Sequence, residues 1–134
     1  MKRSKINQSI REMEAMLKKY HVSLPPFCNW TPEEWEHKNH EYDEIRDNQL
    51  GWDITDCGLE NFDKVGFALI TIRNGNQKLE KYKKVYAEKL IYLKDGQTFP
   101  SHFHWIKSED IINRGGGTLL LKVYNDDGNG GYAD

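Results

Sequence analysis

GQTFPSHFHWIKSEDIINRGGG, residues 96–117, is the stretch whose reading decides the fold. His102 and His104 are separated by one residue, so on an extended chain both imidazoles leave the same face. Glu109 follows four residues later and can return a carboxylate to that face. Two neutral imidazole nitrogens and one anionic oxygen suit a divalent first-row cation. An H-x-H pair followed by Glu also occurs on ordinary exposed strands, and the three residues alone leave that alternative open. The pattern G-x5-H-x-H-x4-E-x6-G runs from Gly96 to Gly116, and glycine permits the tight turns that bring ligands inward.

Working outward, residues 98–105 and 118–124 (TLLLKVY) are expected to be strands separated by the turn at Gly115, Gly116 and Gly117. Upstream, residues 65–73 (VGFALITIR) form an apolar, β-branched run that predicts a strand, and Asn74, Gly75 and Asn76 behind it signal a turn. Residues 82–93 alternate and predict another strand, closed by Asp95 and Gly96. Residues 51–56 and 126–134 read as turn and loop. Before them lie two helices. Ile6, Ile10, Met13, Leu17 and Tyr20 recur at steps of three and four, which predicts a helix over residues 4–20, ended by Pro25 and Pro26. Thr31, Pro32 and Glu34 form a capping-box signature, with a helix expected to run to about Asn48. The order is helices and then strands only. It predicts a mainly β domain, a sandwich or barrel, with helical residues 1–50 and strands across 64–125 in a single domain spanning 1–134.

The chain has 134 residues, 30% charged and 37% hydrophobic, with a net charge of −2. That suits one compact domain and gives no electrostatic case for nucleic acid. No run of 18 apolar residues exists, so no membrane partner is expected. The start, MKRSKINQSIREM, lacks the apolar segment of a secretory signal. Cys28 and Cys57 lie far apart and read as ordinary thiols of a reducing, cytoplasmic setting. His21, His37 and His40 fall in or beside the helical part and are expected to be exposed.

The 96–116 spacing resembles the first conserved motif of the cupin superfamily at each position. The words TFPSHFHWIKSEDIINRGGG, LGWDITDCGL and FALITIRNG, with the start MKRSKINQSI and the helix opening WTPEEW, are similar to the D-lyxose ketol-isomerase family over essentially the whole chain. The resemblance implies a cupin-type jelly-roll barrel preceded by two N-terminal α-helices, of which this chain carries an incomplete first half. It implies metal-dependent aldose–ketose isomerisation, interconverting D-lyxose with D-xylulose and D-mannose with D-fructose. The cofactor implied is a divalent metal, Mn²⁺ foremost, with Zn²⁺, Co²⁺ and Ni²⁺ also accepted by such ligands.

Carried over, His102, His104 and Glu109 match metal ligands. Lys107 matches a lysine with a catalytic role in substrate binding or proton transfer, against the alternative of a surface lysine. Asp110, Asn113 and Arg114 are expected to be structural. A cupin site has a fourth ligand, a histidine on a second motif, and no histidine follows His104. The chain is therefore expected to be a portion lacking that motif and of doubtful activity alone. The expected partner is a small aldose or ketose, and a homodimer is compatible with how cupins protect sheet edges. Two other readings stay open: another metal-dependent cupin enzyme such as a dioxygenase, and a non-enzymatic metal- or sugar-binding cupin.

Overall fold

The computed structural model describes residues 1–133 and divides the chain into two compact units, Met1–Phe103 and His104–Asp134. In the first unit, helix α1 (Arg3–Lys19) is followed by a 3₁₀ turn (Pro26–Asn29), the short helix α2 (Pro32–Glu36), a second 3₁₀ turn (His40–Tyr42) and the short helix α3 (Asp43–Asp47). Strands β1 (Gly51–Thr55), β2 (Phe67–Arg73) and β3 (Glu88–Tyr92) form one antiparallel sheet in that order. The architecture is a small three-stranded sheet with few helices. No helix of the described residues is long and apolar enough to cross a membrane.

β2 is the centre of the sheet, and its residues 67–71 are all buried. A strand covered on both faces has no reason to alternate, which is why FALITIR reads as a continuous apolar run. Register assigns the faces. Trp52 and Ile54 of β1 pair with Ile70 and Ala68, and these pair in turn with Leu90 and Tyr92 of β3. Those six side chains share one face of the sheet. Met13 of α1 and Cys28 join Ala68 and Ile70 as the buried cluster, with Leu17, Leu24 and Phe27 packed against it. The indole Nε1 of Trp52 donates to the Cys28 carbonyl oxygen at 2.8 Å, which satisfies the one polar atom that this ring carries into the core. Burial pushes the Cys28 thiol up to about 11, so it packs as a protonated, apolar group. Both cysteines are free thiols.

The segment expected as one helix from Thr31 to about Asn48 is instead broken into α2, a 3₁₀ turn and α3. The capping box forms as anticipated, with Glu34 N–H donating to Thr31 Oγ1 at 3.2 Å and Thr31 N–H donating to Glu34 Oε2 at 2.8 Å. The break has a physical cause in the aromatic side chains. Trp30 meets Trp35 and Tyr42 edge-on, with centroids 5.0 and 5.1 Å away, and Lys38 Nζ sits 4.0 Å from the Trp30 centroid. A continuous helix would carry Tyr42 away from Trp30. Arg46 Nη2 donates to the Lys38 carbonyl at 2.7 Å and so satisfies backbone freed by the break. His21, His37 and His40 are exposed, as expected.

Of residues 51–56, expected as a turn, Gly51–Thr55 are the edge strand β1. Trp52, Asp53 and Ile54 do alternate, with Asp53 outward, but three residues are too few to register as a period. Residues 82–87, expected to belong to a strand, lie in the loop joining β2 to β3. The Asn74–Asn76 turn does not close a tight hairpin. Asn48 and Asn74 each donate a side-chain amide to the other's carbonyl, at 3.2 and 3.0 Å, and Asn76 donates to the Asp47 carbonyl at 3.0 Å. Asp47 Oδ2 accepts from Tyr82 at 2.7 Å and from Lys81 Nζ at 2.8 Å. The loop is therefore fastened to the end of α3 by side chains that backbone propensity does not count.

Residues 98–105 contribute only a parallel bridge between Thr98 and Val65, and residues 118–124 pair with no strand among the described residues. Both were expected to be strands. An isolated strand leaves its N–H and C=O groups without a ladder and its alternate side chains without a second layer. In the second unit Leu120 and Val123 are 88% and 84% exposed. That unit's order comes from turns. Asp127 Oδ1 accepts from the N–H groups of Asn129 and Gly131 at 2.7 and 2.9 Å, and Tyr124 stacks on Tyr132 with centroids 4.5 Å apart.

Two helix ends generate a prediction. His21 after α1 and Gln49 after α3 both have left-handed φ, 56° and 54°. Val22 N–H bonds the Leu17 carbonyl and His21 N–H the Lys18 carbonyl, while Leu50 N–H bonds Ile45 and Gln49 N–H bonds Arg46. Each is the Schellman closure in which glycine is usual. Gln49→Gly and His21→Gly should each raise stability by about 0.5–1 kcal/mol in chemical denaturation, by removing the Cβ clash of that conformation.

A second concerns acid. The hydrogen bond from Lys81, then that from Tyr82, holds the Asp47 carboxyl below its ordinary value. A depressed folded-state pKa contributes stability above the unfolded value of 3.8 and loses it as pH falls through the folded one. Asp47→Asn should therefore flatten the acid limb of the stability profile below about pH 5.

Candidate metal centre

The lead-in to the histidine pair is fixed to the sheet. Thr98 N–H donates to the Lys64 carbonyl at 2.7 Å, and Gly66 N–H donates to the Thr98 carbonyl at 3.1 Å. Gly66 has φ 148°, and a Cβ there would lie 2.5 Å from the Thr55 carbonyl oxygen. Only glycine lets β2 begin this close to the end of β1. Phe99 then stacks on Phe67 of β2 with centroids 4.3 Å apart, and the His102 ring lies 4.9 Å from Phe99. Phe67 of β2 thus supports the Phe99 ring, against which the His102 ring is tilted.

His102 is the penultimate residue of the first unit. Its Nδ1 is 2.9 Å from the Pro100 carbonyl oxygen. A carbonyl can only accept, so Nδ1 carries a proton, and in the neutral ring the lone pair lies on Nε2. A ring nitrogen bonded to a backbone carbonyl, with the lone pair on the other nitrogen, is the form in which histidine ligates metals.

His104, Lys107 and Glu109 belong to the second unit and come together there. His104 Nε2 is 3.5 Å from Glu109 Oε2, and Lys107 Nζ is 3.3 Å from Glu109 Oε1. Two donor atoms each about 2.1 Å from one cation lie roughly 3–3.5 Å from each other, so the His104–Glu109 approach fits a shared ion. The site is made of extended chain and turns, not of a strand pair. Asn113 shapes the following turn, donating from Nδ2 to the Gly117 carbonyl at 2.9 Å while Gly115 N–H bonds its Oδ1 at 3.1 Å. This is the structural role expected of it.

The donor chemistry is borderline to hard: neutral imidazole with a carboxylate. It fits Mn²⁺, Zn²⁺, Co²⁺ or Ni²⁺. Two supporting residues escape a reading of the ligand pattern. Phe99 and Pro100 hold the first histidine through a tilted ring contact and a carbonyl, and their only signal is the TFP that precedes the pair.

The family model described as D-lyxose isomerase matches residues 1–134. The chain is 44% identical over 135 aligned residues to a D-lyxose/D-mannose isomerase of Escherichia coli O157:H7, with 100% of this chain and 60% of that protein covered. It is 40% identical to a D-lyxose/D-mannose isomerase of Serratia proteamaculans, covering 100% of this chain and 59% of that protein. The chain thus spans about 60% of the length of these curated relatives. Over its whole length, this chain belongs to the D-lyxose isomerase family.

Proposed function

We propose that this chain is the metal-binding portion of a cupin-type sugar isomerase that interconverts D-lyxose with D-xylulose and D-mannose with D-fructose. The observation that carries the reading is the 3.5 Å approach of His104 Nε2 to Glu109 Oε2, in a chain whose family and named relatives are sugar isomerases. The barrel of this reading begins with the β1–β2–β3 sheet, with residues 1–134 as part of a single domain. His102, His104 and Glu109 are the protein's ligands for a divalent cation, Mn²⁺ first among those the donors accept. The free thiols of Cys28 and Cys57 agree with a cytoplasmic setting.

Aldose–ketose isomerisation moves a proton between neighbouring carbons, and a C–H beside a carbonyl is too weak an acid to react unaided. A divalent cation held by His102, His104 and Glu109 would supply positive charge that makes this C–H more acidic. His102 presents Nε2 because Pro100 fixes its Nδ1 proton. His104 and Glu109 would hold the cation from the second unit. Lys107, whose Nζ lies 3.3 Å from Glu109 Oε1, stabilises the developing oxyanion or hands it a proton. Glu109 is poorly suited to be the base that moves the carbon-bound proton, since its charge is committed to the ion.

The complete gene product that contains these residues, supplied with Mn²⁺ and D-lyxose, should form a ketose detectable by colorimetric assay. His104→Ala and Glu109→Gln should each weaken Mn²⁺ binding by at least about tenfold and abolish ketose formation. Oxygen uptake without ketose would reject the isomerase in favour of a dioxygenase. Tight metal binding without turnover of any aldose would favour a binding module.

A further inference from the structure

Resting on the metal-site reading above, we propose that Lys107 is a stand-in cation, pairing with Glu109 when no metal is bound and giving way when one arrives. The two oxygens of Glu109 have different neighbours. Oε2 faces His104 Nε2 at 3.5 Å, and Oε1 faces Lys107 Nζ at 3.3 Å. Side-chain exposure is 45% for Glu109 and 50% for Lys107, so both reach solvent and either can rotate away. A divalent ion on Oε2 draws charge from the whole carboxylate and brings a second positive charge to within a few ångströms of the ammonium. The pair that steadies Glu109 without metal is therefore partly lost when metal binds, and that loss is charged against the affinity.

The arrangement has a chemical use. Glu109 lies on an exposed segment with His104 at one carboxylate oxygen and Lys107 at the other. Lys107 keeps it turned toward its ligand position. Once released from Glu109, the ammonium can turn to an oxyanion of a bound sugar. Displacement by metal and readiness for substrate are then one movement.

Exposed ion pairs of this kind contribute about 0–1 kcal/mol. Lys107→Met should tighten binding of Mn²⁺ alone, measured by titration calorimetry, by about two- to fivefold, the equivalent of about 0.4–1 kcal/mol at about 1.4 kcal/mol per tenfold. Lys107→Gln, which retains a donor without the charge, should do the same. Lys122→Met is the control: it removes the same charge from the same unit, where Lys122 instead lies 5.1 Å from the Tyr124 centroid, and should leave affinity within twofold of the parent. Equal tightening in Lys107→Met and Lys122→Met would assign the effect to net charge and overturn the proposal. Unchanged or weaker binding in Lys107→Met would also overturn it while leaving the metal site standing. A parent protein that takes up no Mn²⁺ would instead remove the metal reading itself.

Discussion

Ile70 has no surface left in contact with water, and the packing that hides it organises the first unit. It sits at the middle of β2, between Trp52 on one neighbouring strand and Leu90 on the other, with Met13 of α1 in the cluster above. Each contact comes from a different part of the chain. Burial of large aliphatic side chains contributes about 1.5–3 kcal/mol apiece, and here that contribution requires the helix and all three strands together. The opposite face of the same strand carries Phe67, on which Phe99 stacks, so the core and the approach to the histidines share one strand.

The legible parts of the fold were those whose signal is repeated. Five apolar residues at helical spacing placed α1 to within a residue at each end, and the apolar run of β2 was long enough to stand out. Thr31, Pro32 and Glu34 located the start of α2 because capping is a local event. The end of that segment was not legible. Contact of Trp30 with both Trp35 and Tyr42 requires a bend that no residue between them signals. β1 escaped because its alternation spans three residues behind a glycine. The loop after β2 escaped for a related reason: Asn48, Asn76 and Tyr82 are held together by side-chain hydrogen bonds between segments far apart in sequence.

The site divides in the same way. Residue type and spacing singled out His102, His104 and Glu109, Lys107 came with the family resemblance, and the chemistry of the donors followed from type alone. Orientation did not. The expectation that both imidazoles share a face came from strand pleating, but residues 99–104 are in no strand. What fixes the His102 tautomer is the Pro100 carbonyl, and what sets Glu109 is the pair of positive or polarisable neighbours on its two oxygens. These are contacts two to five residues apart, short in sequence yet dependent on backbone angles that a residue pattern does not encode.

The two thiols differ in a way that has practical weight. Cys28 lies in the core with its carbonyl tied to Trp52 and its ionisation pushed up, while Cys57 stands on the surface just past the end of β1. Alkylating reagents act on thiolates that solvent reaches, so the folded protein offers them one cysteine and withholds the other. A dye attached at Cys57 rides on the intact molecule. Modification at Cys28 records, molecule by molecule, that the seam between helix and sheet has come open.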